Sequence, residues 1–197
     1  MSAKGIVARP ALRVLLVCTA NVSRSPLAAA LLTKRLGDAG VAATVRSAGV
    51  IHTRLPVDEL AVAVGRELGV EIGGHAPRRV TASAIAEDGT DLVIGLARSH
   101  VREVVALDAS AWDRSFTLKE LARVVGREQL AVATDPAGWQ QRFGSGRSAY
   151  DLLGEDERDD IADPYRRSLA THRAVATEID RLLATVVDGF LGIVGAD

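Results

Sequence analysis

Short, wholly apolar runs alternate along this chain with longer segments of helical period. Val14 to Val17 is uninterrupted Val and Leu, the pattern of a strand buried on both faces, with Leu12 as its extension and Arg13 at the open end. A polar stretch follows, and Pro26 then opens an Ala/Leu-rich segment that ends near Gly37. Proline suits the first helical position and Ser25 precedes it as an N-cap, which predicts strand, short loop and helix in that order. Val41 to Val45 predicts a second strand, and Pro56 to Leu68 a helix stopped by Gly69. Leu92 to Leu96 predicts a third strand with a helix over Ser99–Ala106 behind it. Ser115 to Leu118 predicts a short fourth strand, followed by a helix over Lys119–Val125. The last predicted helix runs from Tyr165 to Phe190, with Leu169, Val175, Ile179, Leu182 and Leu183 along its apolar face. Alternation of this kind predicts one α/β domain, a four-stranded parallel sheet flanked by helices.

Two stretches stand outside the pattern. Residues 1–11 read as an N-terminal tail. Gly126 to Ala162 scatters Gly among acidic residues and reads as a surface insertion, a long loop with one helix. Its acidic run, Glu155 to Asp160, reads as a solvated face.

Composition narrows the function classes. The chain has 197 residues, suited to one domain with an insertion, and a formal net charge of −1, which gives no reason to expect a nucleic-acid or membrane partner. No apolar run has the length of a signal-peptide core or a membrane span, so the expectation is a cytoplasmic protein, and a monomer. A single cysteine, Cys18, excludes an internal disulfide, points to a reducing compartment and singles out that thiol.

Cys18 opens the segment Cys18-Thr19-Ala20-Asn21-Val22-Ser23-Arg24-Ser25-Pro26, at the C-terminal end of the first strand and the start of the first helix. In open α/β sheets that crevice is the usual ligand site, and successive N–H groups at a helix N-terminus form an anion pocket. A free thiol is mostly protonated at neutral pH; cationic Arg24, the loop amides and the helix dipole all favour the thiolate. The planar guanidinium of Arg24 can grip two phosphoryl oxygens at once. Ser25 can donate to the sulfur, and Asn21 tolerates the left-handed backbone that a tight anion loop demands.

These residues resemble the Cys-x5-Arg-Ser loop of low-molecular-weight protein tyrosine phosphatases, including its Asn, its Ser-Pro and the apolar strand before it. Ser47-Ala48-Gly49 looks like the element that braces the family's loop. Asp163-Pro164-Tyr165 looks like its Asp-Pro-aromatic loop, which carries the general acid. The resemblance covers roughly Leu12 to Val125 and Ile161 to Phe190, and implies a Rossmann-like three-layer fold.

The resemblance implies that Cys18 is the nucleophile, Arg24 the phosphoryl clamp and Asp163 the acid. Thr19, Ala20, Asn21, Val22, Ser23 and Ser25 would line the phosphate site, Tyr165 would wall the substrate ring and Ser47 would support the loop. No cofactor or metal is implied, and the partner would be a phosphotyrosine-bearing protein. Asp135-Pro136 is a second Asp-Pro pair without a following aromatic, so Asp163 is preferred. Val22 at mid-loop leans towards phosphotyrosine, since related protein-arginine phosphatases tend to carry Thr there.

The chain also departs from the family. Ser23 stands where a second Cys often precedes the Arg, which excludes a protective disulfide within the chain. Ile51, His52, Thr53 and Arg54 occupy a stretch where an aromatic wall is common. Leu96-Ala97 replaces a frequent Met followed by an acid. Three other functions remain open: a protein-arginine phosphatase, an arsenate reductase borrowing an external thiol, and a phosphate-binding module without turnover. His75, His100 and His172 read as surface or loop residues, and Trp112, Trp139 and Phe143 as packing.

Overall fold

The computed structural model describes residues 12–86, 89–127 and 147–194. Its centre is β1 (Leu12–Cys18), whose side chains alternate between two apolar faces. Val14, Leu16 and Cys18 enter one core, with Leu27 and Leu31 of α1 (Arg24–Asp38); Leu15 and Val17 enter another. The sheet runs β2-β1-β3-β4, all parallel, with β2 (Ala43–Gly49), β3 (Leu92–Gly95) and β4 (Ser115–Thr117). The larger core also holds residues from α2 (Glu59–Glu67), α5 (Leu118–Arg127) and α6 (Leu169–Val194). The smaller core takes Ile85 of α3 (Ala82–Ala86) and Val104 of α4 (Arg98–Leu107). The predicted four-stranded parallel sheet between helical layers is therefore present.

Several boundaries differ from expectation. Helix α1 begins at Arg24, two residues before Pro26, and its N-cap is Ser23, whose side chain makes no capping bond. Pro26 in the first turn removes no helical bond, because the opening N–H groups have no partner there anyway. Ser25 is thus inside the helix, free of the capping role expected of it. Strand β2 runs on to Gly49, in register with Cys18, so Ser47 lies within the strand and not after it. Pairing with β1 outweighs the polar character of Thr44 and Arg46, whose side chains lie exposed. Helix α2 begins three residues after Pro56, capped by Asp58, which accepts from the N–H groups of Leu60 and Ala61. Gly69, at φ +76°, follows the end of that helix as expected. Helix α6 starts only at Leu169. Tyr165 to Arg167 form a turn instead, with Arg166 at φ +61°.

The acidic run is not a solvated face. Asp159 is buried, and the segment from Arg147 to Asp160 is tied to α4 and α5 by arginines. Arg147 lies over the rings of Trp112 and Phe116, 4.4 and 4.2 Å from their centroids, while its Nε donates to Glu120 at 2.6 Å. Helix α5 runs two residues into the expected insertion, to Arg127, and beyond it a short 3-10 turn, Ala149–Leu152, is the one regular element among the described residues of that stretch. Trp139 and Phe143 lie outside the described residues.

Candidate active site

Strand β1 delivers Cys18 to the top of the sheet, and α1 returns Arg24 and Ser25 to the same place. Cys18 is buried, and the Ser25 hydroxyl stands 2.9 Å from its Sγ. The loop between them needs one left-handed residue, which is Asn21 at φ +58°. Its side chain is wholly buried and satisfied on both ends. Nδ2 donates to Ser25 Oγ and Ser47 Oγ, both at 2.9 Å. Oδ1 accepts from the Arg78 N–H at 3.1 Å and from His75 Nε2 at 2.9 Å, which assigns the proton of His75 to Nε2.

The outer side of the loop is pinned by main-chain bonds. Val50 N–H donates to Cys18 O, Ile51 N–H to Thr19 O and Asp58 N–H to Val22 O, at 3.0, 3.0 and 2.8 Å. Gly49 permits this approach: a Cβ there would lie 2.8 Å from Ala20 C and Asn21 N. The carbonyls of Cys18, Thr19 and Val22 are therefore engaged from behind, an arrangement suited to a loop whose N–H groups serve an anion.

Arg24 is nearly buried and bridges three segments. Nη1 donates to Ile161 O at 3.1 Å, and Nη2 donates to Thr19 Oγ1 at 3.1 Å and to Asp163 Oδ2 at 2.6 Å. Asp163 is about half exposed, and its other oxygen accepts from the Tyr165 N–H at 3.1 Å. The three residues singled out for catalysis, Cys18, Arg24 and Asp163, thus meet around one loop. Tyr165 lies in the turn after Asp163, with the Arg166 guanidinium 5.3 Å from its ring centroid. Val22 and Ser23 are buried, and Ser47 is a buried brace. Asp135 lies outside the described residues.

Two site residues escaped the sequence reading, and both are histidines expected at the surface. His100 is buried in the first turn of α4, with Nε2 3.1 Å from Thr19 Oγ1 and a buried Nδ1 that has no partner among the described residues. Burial above all, then the charges of Arg24 and Arg102, push its pKa down to about 3, so it is neutral at physiological pH. His75 is half-buried, and burial followed by the charge of Arg78 lowers its pKa as well. His172 is also buried; its Nε2 stands 3.3 Å from Asp58 Oδ2, joining α6 to the cap of α2. Only a search for what the loop's hydroxyl and amide must bond to would have pointed at His75 and His100.

A buried thiol hydrogen-bonded at a strand-to-helix junction, with an arginine from the same loop, defines a thiol-dependent phosphate-handling protein of the parallel α/β class. The family described as low molecular weight phosphotyrosine protein phosphatase matches residues 13–151, and the chain belongs to that family. Etp, a low molecular weight protein-tyrosine-phosphatase of Escherichia coli (strain K12), is 39% identical over 95 residues, 48% of this chain and 60% of Etp. The match therefore spans less than two thirds of that relative's length. The protein-arginine-phosphatase of Geobacillus stearothermophilus is 27% identical over 177 residues, 87% of this chain and 90% of that relative. Among solved structures, a low molecular weight protein tyrosine phosphatase from T. tengcongensis is 26% identical, with a TM-score of 0.67, over 90% of this chain and 99% of that one.

Proposed function

We propose that this protein is a cysteine-dependent phosphatase that hydrolyses phosphotyrosine in proteins, with Cys18 as nucleophile and Asp163 as proton donor. The observation that carries the reading is the convergence on one loop: Ser25 Oγ at 2.9 Å from the Cys18 sulfur, and Arg24 at 2.6 Å from Asp163. A binder without turnover would have no use for a thiolate and an acid held together.

The Cys18 thiolate attacks phosphorus in line, forming the S–P bond as the P–O bond to the aryl group breaks. The departing phenolate, whose conjugate acid has a pKa of about 10, takes the proton of the Asp163 carboxylic acid and leaves as neutral phenol. Arg24 and the amides from Thr19 to Arg24 hold the equatorial oxygens throughout. Water then attacks phosphorus and gives a proton to the Asp163 carboxylate. The S–P bond breaks, and the thiolate returns to the hydrogen bond of Ser25. None of these steps calls on a metal or a cofactor.

The likeness to a protein-arginine-phosphatase supports a second reading, hydrolysis of phosphoarginine. Val22 favours the tyrosine reading, because the arginine-specific loops it resembles tend to carry Thr at that position. An arsenate reductase would have to borrow an external thiol, since Cys18 is the one cysteine. No described helix is long and apolar enough to cross a membrane.

The test is a turnover panel of phosphotyrosine, phosphoarginine and phosphoserine peptides, with Cys18→Ser as the blank. Phosphate release from phosphotyrosine alone, abolished in Cys18→Ser, is the expected result. Comparable or faster release from phosphoarginine would replace the substrate assignment. Release that survives Cys18→Ser would overturn the mechanism.

A further inference from the structure

We propose that Asp160, together with the Arg98 guanidinium, is a positioning device that holds Asp163 against the phosphate loop. The inference rests on the reading of Asp163 as proton donor and deepens it.

Helix α4 opens without a side-chain cap of its own. The N-cap of this helix is Ala97, in extended conformation, which has no side chain to accept the first amides. The Arg98 N–H donates instead to Asp160 Oδ1 at 2.6 Å, across 62 positions of sequence. A carboxylate suits that place, because the helix dipole is positive there. The other oxygen of Asp160 accepts from the Asp156 N–H at 3.2 Å, and the Asp160 N–H donates to Asp156 O at 2.8 Å, closing a tight turn.

The Arg98 side chain grips the same turn. Its Nε and Nη2 donate to Asp159 Oδ2 at 2.7 and 2.5 Å, and Nη2 reaches Asp156 Oδ2 at 3.2 Å. Asp159 is buried and its second oxygen accepts from Arg123, so its charge is matched on both sides. Beyond Asp160 the chain is pinned again: Ile161 N–H donates to Leu96 O at 2.9 Å, and Ile161 O accepts from Arg24 Nη1. Asp163 follows two residues later.

Asp163 is about half exposed, and burial alone does not place it. A general acid must reach its oxygen within about 2.6–3.2 Å, and a misplacement of about 1 Å can cost on the order of a hundredfold in rate. The mount from Arg98 to Asp160 and from Leu96 to Ile161 supplies that placement. The first turn of α4 therefore serves both halves of the site, Arg98 towards the acid loop and His100 towards Thr19.

The experiment compares Asp160→Ala, Asp160→Asn and Arg98→Gln with the wild type on phenyl phosphate and p-nitrophenyl phosphate. The readout is kcat/KM, which reports the step that expels the phenol, alongside competitive inhibition by inorganic phosphate. Asp160→Ala should lower kcat/KM for phenyl phosphate about tenfold or more, and change the p-nitrophenyl value and phosphate inhibition by less than about threefold. Asp160→Asn keeps an oxygen for the Arg98 N–H and should restore most of the phenyl phosphate rate. Arg98→Gln should show the same selectivity as Asp160→Ala, and decides the matter with Asp160→Asn should Asp160→Ala not fold. Equal losses on both substrates, or wild-type rates on phenyl phosphate, would overturn the proposal. Asp163→Ala, assayed in parallel, separates the two ideas. If it is slow while Asp160→Ala is not, the mount is wrong and the acid stands; if it is also as fast as wild type, the acid assignment itself falls.

Discussion

Arg24 Nη2 and Asp163 Oδ2 stand 2.6 Å apart, although 139 positions of sequence separate the two residues. The pair joins the residue that would clamp the phosphoryl group to the residue that would protonate its leaving group. Arg24 is nearly buried and Asp163 is half exposed, so the pair runs from the protein interior to its surface.

Asp163→Ala should reduce kcat/KM for phenyl phosphate by roughly a hundredfold to ten-thousandfold, and less for a nitrophenyl ester, whose leaving group is a much weaker base and depends less on the proton. Asp135→Ala should leave both rates near wild type. Steady-state kinetics on the two esters checks this, and the opposite ranking would move the acid to Asp135.

Ser25→Ala removes the hydroxyl 2.9 Å from the Cys18 sulfur. In the second step that sulfur is the leaving group, and a hydrogen bond to a charged group contributes about 1.5–3 kcal/mol. Steady-state kcat should fall by about tenfold or more, with a burst of p-nitrophenol that approaches the enzyme concentration. Stopped-flow measurement with p-nitrophenyl phosphate reads both, and a variant with neither change would show that Ser25 leaves the sulfur alone.

Gly49→Ala places a methyl group 2.8 Å from the backbone of Ala20 and Asn21, closer than real Cβ atoms come. Backbone cannot swing aside as a side-chain tip does, so the loop must deform. A loss of about 1–3 kcal/mol in stability is expected, with weaker inhibition by inorganic phosphate. Urea unfolding and inhibition assays together test it; unchanged phosphate affinity would mean that the loop tolerates a wider berth.

His100 gives a prediction with a definite sign in pH. Unfolded, its imidazole takes up a proton near pH 6.5, whereas in the fold it stays neutral down to about 3. Between those values the unfolded chain binds the extra proton, so stability falls as pH falls, by up to about 1.4 kcal/mol per pH unit from this group. His75, shifted in the same direction, adds to that slope. His100→Gln should flatten the acid side of a stability–pH curve measured by urea unfolding. An unaltered slope would show that His100 titrates alike in both states.

The apolar runs announced the parallel sheet, and Cys18 to Pro26 announced the loop, because both are written in contiguous residues. A strand with both faces buried reads as Val and Leu whatever surrounds it, and a phosphate loop needs its thiol, Asn and Arg at set spacings along one turn. Ser25 shows where local reading stopped. The local pattern assigns its hydroxyl to both the helix end and the sulfur; in the fold it caps no helix, reaches the sulfur and accepts from Asn21 Nδ2, since α1 starts earlier, at Arg24.

Nothing local marked His75, Arg78 or His100 as supports of Asn21 and Thr19, because the partners lie 54, 57 and 81 positions away. The acidic run follows the same rule. Five carboxylates between Glu155 and Asp160 look solvated until Arg98 and Arg123 come to face them, and then Asp159 can be buried at little net penalty. Element types and the identity of the reactive thiol follow from short-range sterics and patterning, which the chain carries residue by residue. Which charges are matched, which hydroxyl meets the sulfur and where the acid stands depend on distant segments meeting, and only the folded chain decides them.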